Sequence, residues 1–204
     1  ALLVSIGLAL AWRTRPIYLK LPGESPFQAY QTLLESLRKV VMVGVPAIIG
    51  IGGGLVFARE WEIAALWLNG EDFGQTDAHF GLDIGFYVFD LPFLSFVIGF
   101  LSGGAFLAAL INLAVHVIYG GIRFNGRDIS VSKPARVQLS ILIAIYLVLQ
   151  GVSLWLDQYS SVITTGTLFT GVSYTDANAI IPGLQIMALI SVAVAVTFLI
   201  TAFI

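Results

Sequence analysis

Cysteine is absent from the 204 residues, which excludes disulfides, thiolate metal sites and a cysteine nucleophile. Charge is scarce. Only 11 % of the residues are Asp, Glu, Lys or Arg, against ~25 % in an ordinary water-soluble domain. With 58 % hydrophobic residues and a mean hydropathy of +0.93, a soluble fold would leave too much apolar surface uncovered. There is no strongly basic domain and no polybasic run, which argues against a nucleic-acid partner. Gly50, Gly52, Gly53 and Gly54 are followed by no Lys-Ser or Lys-Thr and lie in an apolar run, which argues against a phosphate loop. The four-residue spacing of Gly50 and Gly54, and of Gly99 and Gly103, instead predicts close helix packing. No cofactor is expected.

What charge there is falls in an ordered pattern. Arg13, Arg15, Lys20, Arg38 and Lys39, then Arg123, Arg127, Lys133 and Arg136, occupy two connecting segments. Glu60, Glu62, Glu71, Asp72, Asp77, Asp83 and Asp90, then Asp157 and Asp176, occupy the two others. Alternating basic and acidic loops record which side of a membrane each loop occupies. The expected fold is therefore all-α, a polytopic transmembrane helix bundle with about five spans and interfacial helices. The spans are read at residues 1–12 (truncated), 40–58, 91–119, 137–156 and 183–204 of a single membrane domain. Loops 13–39 and 120–136 are expected in the cytoplasm, and 59–90 and 157–182 outside. Ala9-Leu10-Ala11 resembles a signal-peptidase site, but it has no basic segment before it. The sequence is read as a piece of a longer protein.

Trp12, Tyr119, Trp155, Trp61 and Trp67 mark span ends, where an amphipathic ring favours the headgroup level. Asp90 before Leu91-Pro92, and Ser132 before Lys133-Pro134, read as helix caps with a proline in the first turn, and Pro182 reads likewise. Phe27, Tyr30, Leu34 and Leu37 predict an interfacial helix after Ser25-Pro26. Asn125-Gly126 predicts a hairpin turn. Trp61 to Leu68 reads as a short amphipathic stretch, and the aromatic segment around Phe80 to Phe93 as folding back on the helix ends.

Chemistry-bearing residues are few. Asp77, His79 and Asp83 are the weak candidates for a divalent cation, and His79 with an acid the only local base-and-acid arrangement; no catalytic residue is assigned. Asn112 and His116, four apart on one helical face, suit interhelical hydrogen bonds better than a proton relay. Gln150 and Gln185 are the other polar groups noted inside spans. Arg123, Arg127, Lys133 and Arg136 fit anionic lipid headgroups and fit an orientation signal equally well.

Several motifs together resemble uncharacterised protein family 0182. They are Phe80-Gly81-Leu82-Asp83-Ile84-Gly85-Phe86-Tyr87-Val88-Phe89-Asp90-Leu91-Pro92-Phe93, Tyr119-Gly120-Gly121-Ile122-Arg123, Pro134-Ala135-Arg136-Val137-Gln138-Leu139, Trp155-Leu156-Asp157-Gln158-Tyr159, and the run from Phe169 to Ala179. The resemblance implies a large multi-pass bacterial membrane protein, of a kind common in actinobacteria, with further spans on both sides and a large extracytoplasmic region. It supplies no activity or site residue. It also implies Gln where His79 stands, which weakens the metal reading.

Three functions compete. The first is an anchor and scaffold in the bacterial cytoplasmic membrane, with membrane lipids and either envelope proteins or further copies as partners. The alternative is a transporter or channel component for a lipid or apolar envelope precursor, along a path lined by Gly99, Ser102, Gly103 and Gly104. An enzyme comes third and would need Asp83, Asp90, Asp157 and Asp176 to converge. Pro92 and Pro182 lie ninety residues apart in a formal repeat that any alternating hairpin would produce.

Overall fold

Helix is the rule because the long elements are apolar runs with their few charges at or near the ends, and the backbone groups of such runs bond within the segment. The computed structural model describes residues 1–13, 38–125, 128–165 and 170–204. The interfacial helix expected after Ser25-Pro26 lies outside them. In order come α1 (Leu2–Arg13), α2 (Arg38–Arg59), α3 (Trp61–Leu68), a π-helical turn π1 (Phe86–Asp90), α4 (Leu91–Ile118), strands β1 (Ile122–Asn125) and β2 (Asp128–Val131), α5 (Lys133–Ile163), a second turn π2 (Asp176–Ile180) and α6 (Ile181–Phe203). Four helices, Lys39–Arg59, Phe86–Ile118, Lys133–Ile163 and Asp176–Phe203, are long and apolar enough to cross a membrane. α1 is apolar but shorter.

α5 outruns the apolar stretch that announced it. Its 31 residues reach about 46 Å at 1.5 Å per residue, well beyond ~30 Å of hydrocarbon. Asp157, Gln158 and Tyr159 continue the helix rather than ending it. Gln158 finds partners there, donating to Trp155 O at 2.8 Å and accepting from Gln185 Nε2 at 2.8 Å.

The starts of two long helices differ from expectation. Helical structure begins at residues 84 and 174, not at the prolines. Asp90 is therefore no cap: it ends π1, and its carboxylate accepts the Trp67 indole N–H at 3.0 Å. Proline offers no N–H to the carbonyl four residues back, and its ring crowds that carbonyl. The turn ahead of each proline is widened instead. Leu91 N–H bonds Phe86 O and Ile181 N–H bonds Asp176 O, each five residues back. Asp83 and Ser173 are the capping residues: Asp83 accepts from Gly85 N at 2.7 Å and Ser173 Oγ accepts from Asp176 N at 3.1 Å.

α4 closes with a glycine pair. Gly120 is left-handed (φ +71°), Gly121 N–H bonds His116 O at 2.7 Å and Gly120 N–H bonds Val117 O at 3.2 Å. This glycine-dependent cap turns the chain into the β-ribbon. Its strands pair antiparallel from Ile122↔Val131 to Asn125↔Asp128. Asn125 thus closes the ladder rather than entering the turn, and residues 126–127 lie outside the described set.

Contacts divide the chain into two compact units, Ala1–Gly54 with Gly104–Ala144 and Phe198–Ile204, and Leu55–Gly103 with Ile145–Thr197. In the first, Val4, Leu8 and Ala11 fall on one face of α1 by their 4-3 spacing and pack with Ala108, Val115, Tyr119 and Leu142. Val41, Met42, Val45 and Ile49 of α2 lie against that core. In the second, Phe57 meets Phe96 and Phe100 at ring-centroid distances of 5.4 and 5.8 Å. There α5 and α6 close up at Gly151, where a Cβ would lie 3.1 Å from Ala188 O and 3.0 Å from Val192 Cγ2. Ser191 Oγ donates to Leu147 O at 2.7 Å in the same contact.

Candidate functional site

The first unit encloses a polar cluster that joins three helices. Gln138 of α5 donates through Nε2 to Gly7 O of α1 at 2.8 Å and to Asn112 Oδ1 of α4 at 2.7 Å. Asn112 Nδ2 donates to Ala108 O at 2.8 Å, and His116 Nε2 lies 3.0 Å from Gln138 Oε1. All three side chains are buried, Asn112 completely.

The hydrogens have one consistent assignment. Ala108 O only accepts, so the Asn112 amide nitrogen faces it and Oδ1 is the acceptor toward Gln138. Gln138 Nε2 is then the donor and Oε1 the acceptor. His116 must carry its hydrogen on Nε2. Its Nδ1 lies against Gly121, where an added Cβ would approach to 3.0 Å. The cluster contains no carboxylate, lysine or arginine and its internal bonds are matched, which suits a lock between helices.

α1 reaches this lock only because residue 7 has no side chain. A Cβ there would stand 2.3 Å from Asn112 Nδ2 and 2.6 Å from Oδ1. Gly151 is the corresponding close approach in the second unit. At Gly50 a Cβ would meet only Ala1 Cβ, at 3.4 Å, and at Gly54, Gly99 and Gly103 it would meet nothing within 4 Å. Those four glycines stand on exposed faces of α2 and α4; within the described residues the close approaches of one helix to another fall at Gly7 and Gly151.

In the second unit the acidic loop is organised by two aspartates. Asp77 Oδ1 accepts the N–H groups of His79 and Phe80 at 2.8 and 2.7 Å, and Oδ2 accepts Leu82 N–H and Tyr87 O–H at 2.9 and 2.7 Å. Burial pushes the Asp77 carboxyl up, but those four donors outweigh it and hold the group below the usual carboxylate range. Asp83 accepts from Phe73 N at 2.9 Å, Gly85 N at 2.7 Å and Gly74 N at 2.8 Å. Phe73 first, then Gly85, lower its pKa as well.

These carboxylates staple backbone rather than converge on a cation. His79 packs edge-on against Phe80 at 4.7 Å, and among the described residues no group of three His, Asp or Glu side chains is placed to hold a metal. Around them, Trp67 stacks on Phe93 at 4.2 Å, Phe73 on Phe89 at 5.9 Å, and Phe80 and Phe86 meet Tyr159 edge-on.

Lys133 and Arg136 are exposed on the first turn of α5. Arg123 lies on β1, and Arg127 lies outside the described residues. Gly7 and Gln138 are the site residues that sequence reasoning missed; Gln138 carried a signal, as an amide at the start of an apolar span.

A chain that is helical apart from one two-stranded ribbon, with four helices long and apolar enough to cross a membrane, has the architecture of a helical membrane protein. Residues 1–204 match the model of the uncharacterised protein family UPF0182, and the chain belongs to that family. A UPF0182 protein of Clavibacter sepedonicus is 46 % identical over 204 residues, covering 99 % of this chain and 21 % of its own. One from Leifsonia xyli is 43 % identical over 205 residues, covering 100 % and 21 %. One from Mycobacterium avium is 40 % identical over 199 residues, covering 96 % and 20 %. The chain thus spans about a fifth of the length of the curated relatives it matches. No solved structure matches it.

Proposed function

We propose that this chain is the membrane anchor and scaffold of a larger protein in the bacterial cytoplasmic membrane. Segments 13–39 and 120–136 face the cytoplasm, and 59–90 and 157–182 hold an extracytoplasmic portion and its envelope partners. Lys133 and Arg136 meet anionic headgroups at the inner face. The observation that carries the reading is how the polar groups are spent. Asp77 and Asp83 rigidify a loop at the end of a long apolar helix, and Gln138 locks three helices with neutral, matched bonds. A carrier would need exchangeable buried charge; a scaffold needs rigidity.

Sidedness is tested with impermeant thiol labelling of single cysteines in intact cells. Glu71→Cys reacts and Lys133→Cys stays silent until the membrane is opened. The reverse pattern rejects the orientation.

One observation favours the alternative of a lipid transporter or channel component. Among the described residues Ser102 Oγ is buried without a hydrogen-bond partner, and added Cβ atoms at the adjoining Gly103 and Gly104 would meet nothing within 4 Å. Flux of a fluorescent lipid through proteoliposomes, abolished by Ser102→Val, would select that function over the scaffold.

A further inference from the structure

Gly81 and Gly171 stand ninety residues apart, and both are left-handed, at φ +68° and +128°. From there two segments keep one register. Asp83 and Ser173 are followed at once by helix, π1 and π2 occupy 86–90 and 176–180, and Leu91-Pro92 matches Ile181-Pro182. Leu91 and Ile181 are both buried. A shared left-handed glycine, cap, widened turn and buried residue before proline is a repeated structural unit.

One face of the unit differs between its copies. On the first, positions 85, 89 and 90 are covered by the end of α3 and the turn after it. A Cβ at Gly85 would lie 2.7 Å from Glu71 O, and one at Gly70 would lie 3.0 Å from Phe89 Cβ. Trp67 holds Asp90, and a cavity of only about 90 Å³ is left at this seam. The matching positions on the second copy are Thr175, Ala179 and Ile180, and all three are exposed. π1 buries Tyr87, whereas π2 buries nothing, and Tyr174 at its edge is 84 % exposed.

We propose that Thr175, Ala179 and Ile180 form a docking face for a short amphipathic segment of the same polypeptide, from outside these 204 residues. It sits as α3 and its turn sit on the first copy. The relatives carry about four-fifths of their length beyond the matched region, so such a segment has ample source. The changed side chains specify what it offers. Ile180 stands where Asp90 accepts an indole N–H, so the segment presents an apolar group there. Thr175 stands where Gly85 admits bare backbone, so the segment's main chain lies farther off and takes a hydroxyl hydrogen bond. The proposal deepens the anchor reading and rests on it in placing this cap on the side of the extracytoplasmic portion.

The full-length protein in its native membrane supplies the test. Tyr174→p-benzoylphenylalanine changes an exposed aromatic for a larger one. Irradiation is expected to join position 174 to a peptide of the same polypeptide outside residues 1–204. An adduct on lipid, on a second copy, on another protein, or no adduct, overturns the proposal. Independently, Ala179→Cys is expected to react with an impermeant maleimide at least tenfold more slowly than Glu62→Cys, which is exposed on α3. Equal rates overturn it. If Glu62→Cys itself does not react from outside, the sidedness of the anchor reading has failed, while the cross-link still reports on docking.

Discussion

His116 Nε2 and Gln138 Oε1 lie 3.0 Å apart, and the direction of that hydrogen bond is set by a third residue, Asn112. Because Asn112 must donate to Ala108 O, every amide in the chain of contacts is oriented and the imidazole tautomer follows. Nitrogen NMR of selectively labelled His116 near neutral pH should show Nε2 protonated and Nδ1 bare. The opposite tautomer would break the assignment.

Gln138→Leu removes three interhelical hydrogen bonds at once and leaves Asn112 Oδ1 without its donor and His116 Nε2–H without its acceptor. Such bonds in membrane proteins average about 0.6 kcal/mol, so a loss of roughly 2 kcal/mol is expected. Thermal unfolding in detergent reads it as a lowered Tm. An unchanged Tm would show that the cluster does not hold the helices together.

Gly7→Ala places a methyl on the Asn112 amide. Overpacking of this kind costs about 1–3 kcal/mol. Asn112→Ala removes the atoms that clash, so the double variant Gly7→Ala with Asn112→Ala is expected to be more stable than the two single effects combined. Strict additivity in the thermal shift would mean that α1 does not approach α4 at this point.

The Asp77 carboxyl titrates lower in the fold than in an unfolded chain, where it sits near about 3.9. A depressed folded pKa contributes stability that is fully present above the unfolded value and is lost as pH falls through the folded one. Amide exchange at Phe80 and Leu82, whose N–H groups Asp77 holds, should be steady in amplitude from neutral pH down to about 5, once intrinsic rates are divided out. It should open below about pH 4. Asp77→Asn should open it at every pH, because the amide offers one acceptor oxygen for four donors.

Two tryptophans should report different surroundings. Trp67 is stacked on Phe93 and bonded to Asp90, while Trp61 is 63 % exposed on a helix that follows a membrane-length apolar one. In liposomes containing brominated lipid, a variant keeping only Trp61 should be quenched several-fold more than one keeping only Trp67. Equal quenching would place both rings in one environment.

The helical class was legible because apolar length and sparse charge are sums over many residues, insensitive to any one contact. Local starts were misread for a physical reason. Asp90-Leu91-Pro92 has the composition of a cap and first turn, but a widened turn lets the helix run past the proline from Asp83. Asp83 reads as a candidate metal ligand in the sequence because its donors are backbone N–H groups, which carry no sequence signature. Gln138 escaped notice for a related reason: one of its acceptors is the main chain of α1, 131 residues away. Glycine spacing names Gly50, Gly54, Gly99 and Gly103, yet spacing cannot say which helix face has a neighbour; among the described residues the close helix-to-helix approaches sit at Gly7 and Gly151.

The grip on α1 is taken through a carbonyl oxygen, the one hydrogen-bonding group that mutation of a side chain cannot delete. Substitution at the exposed positions Leu2, Ile6 and Leu10 leaves that grip untouched. Val4, Leu8 and Ala11 must still fill the core, and the seventh position must stay bare for Asn112 and Gln138 to come near. The helix is thus held by its shape and its main chain, with no polar side chain of its own in the joint.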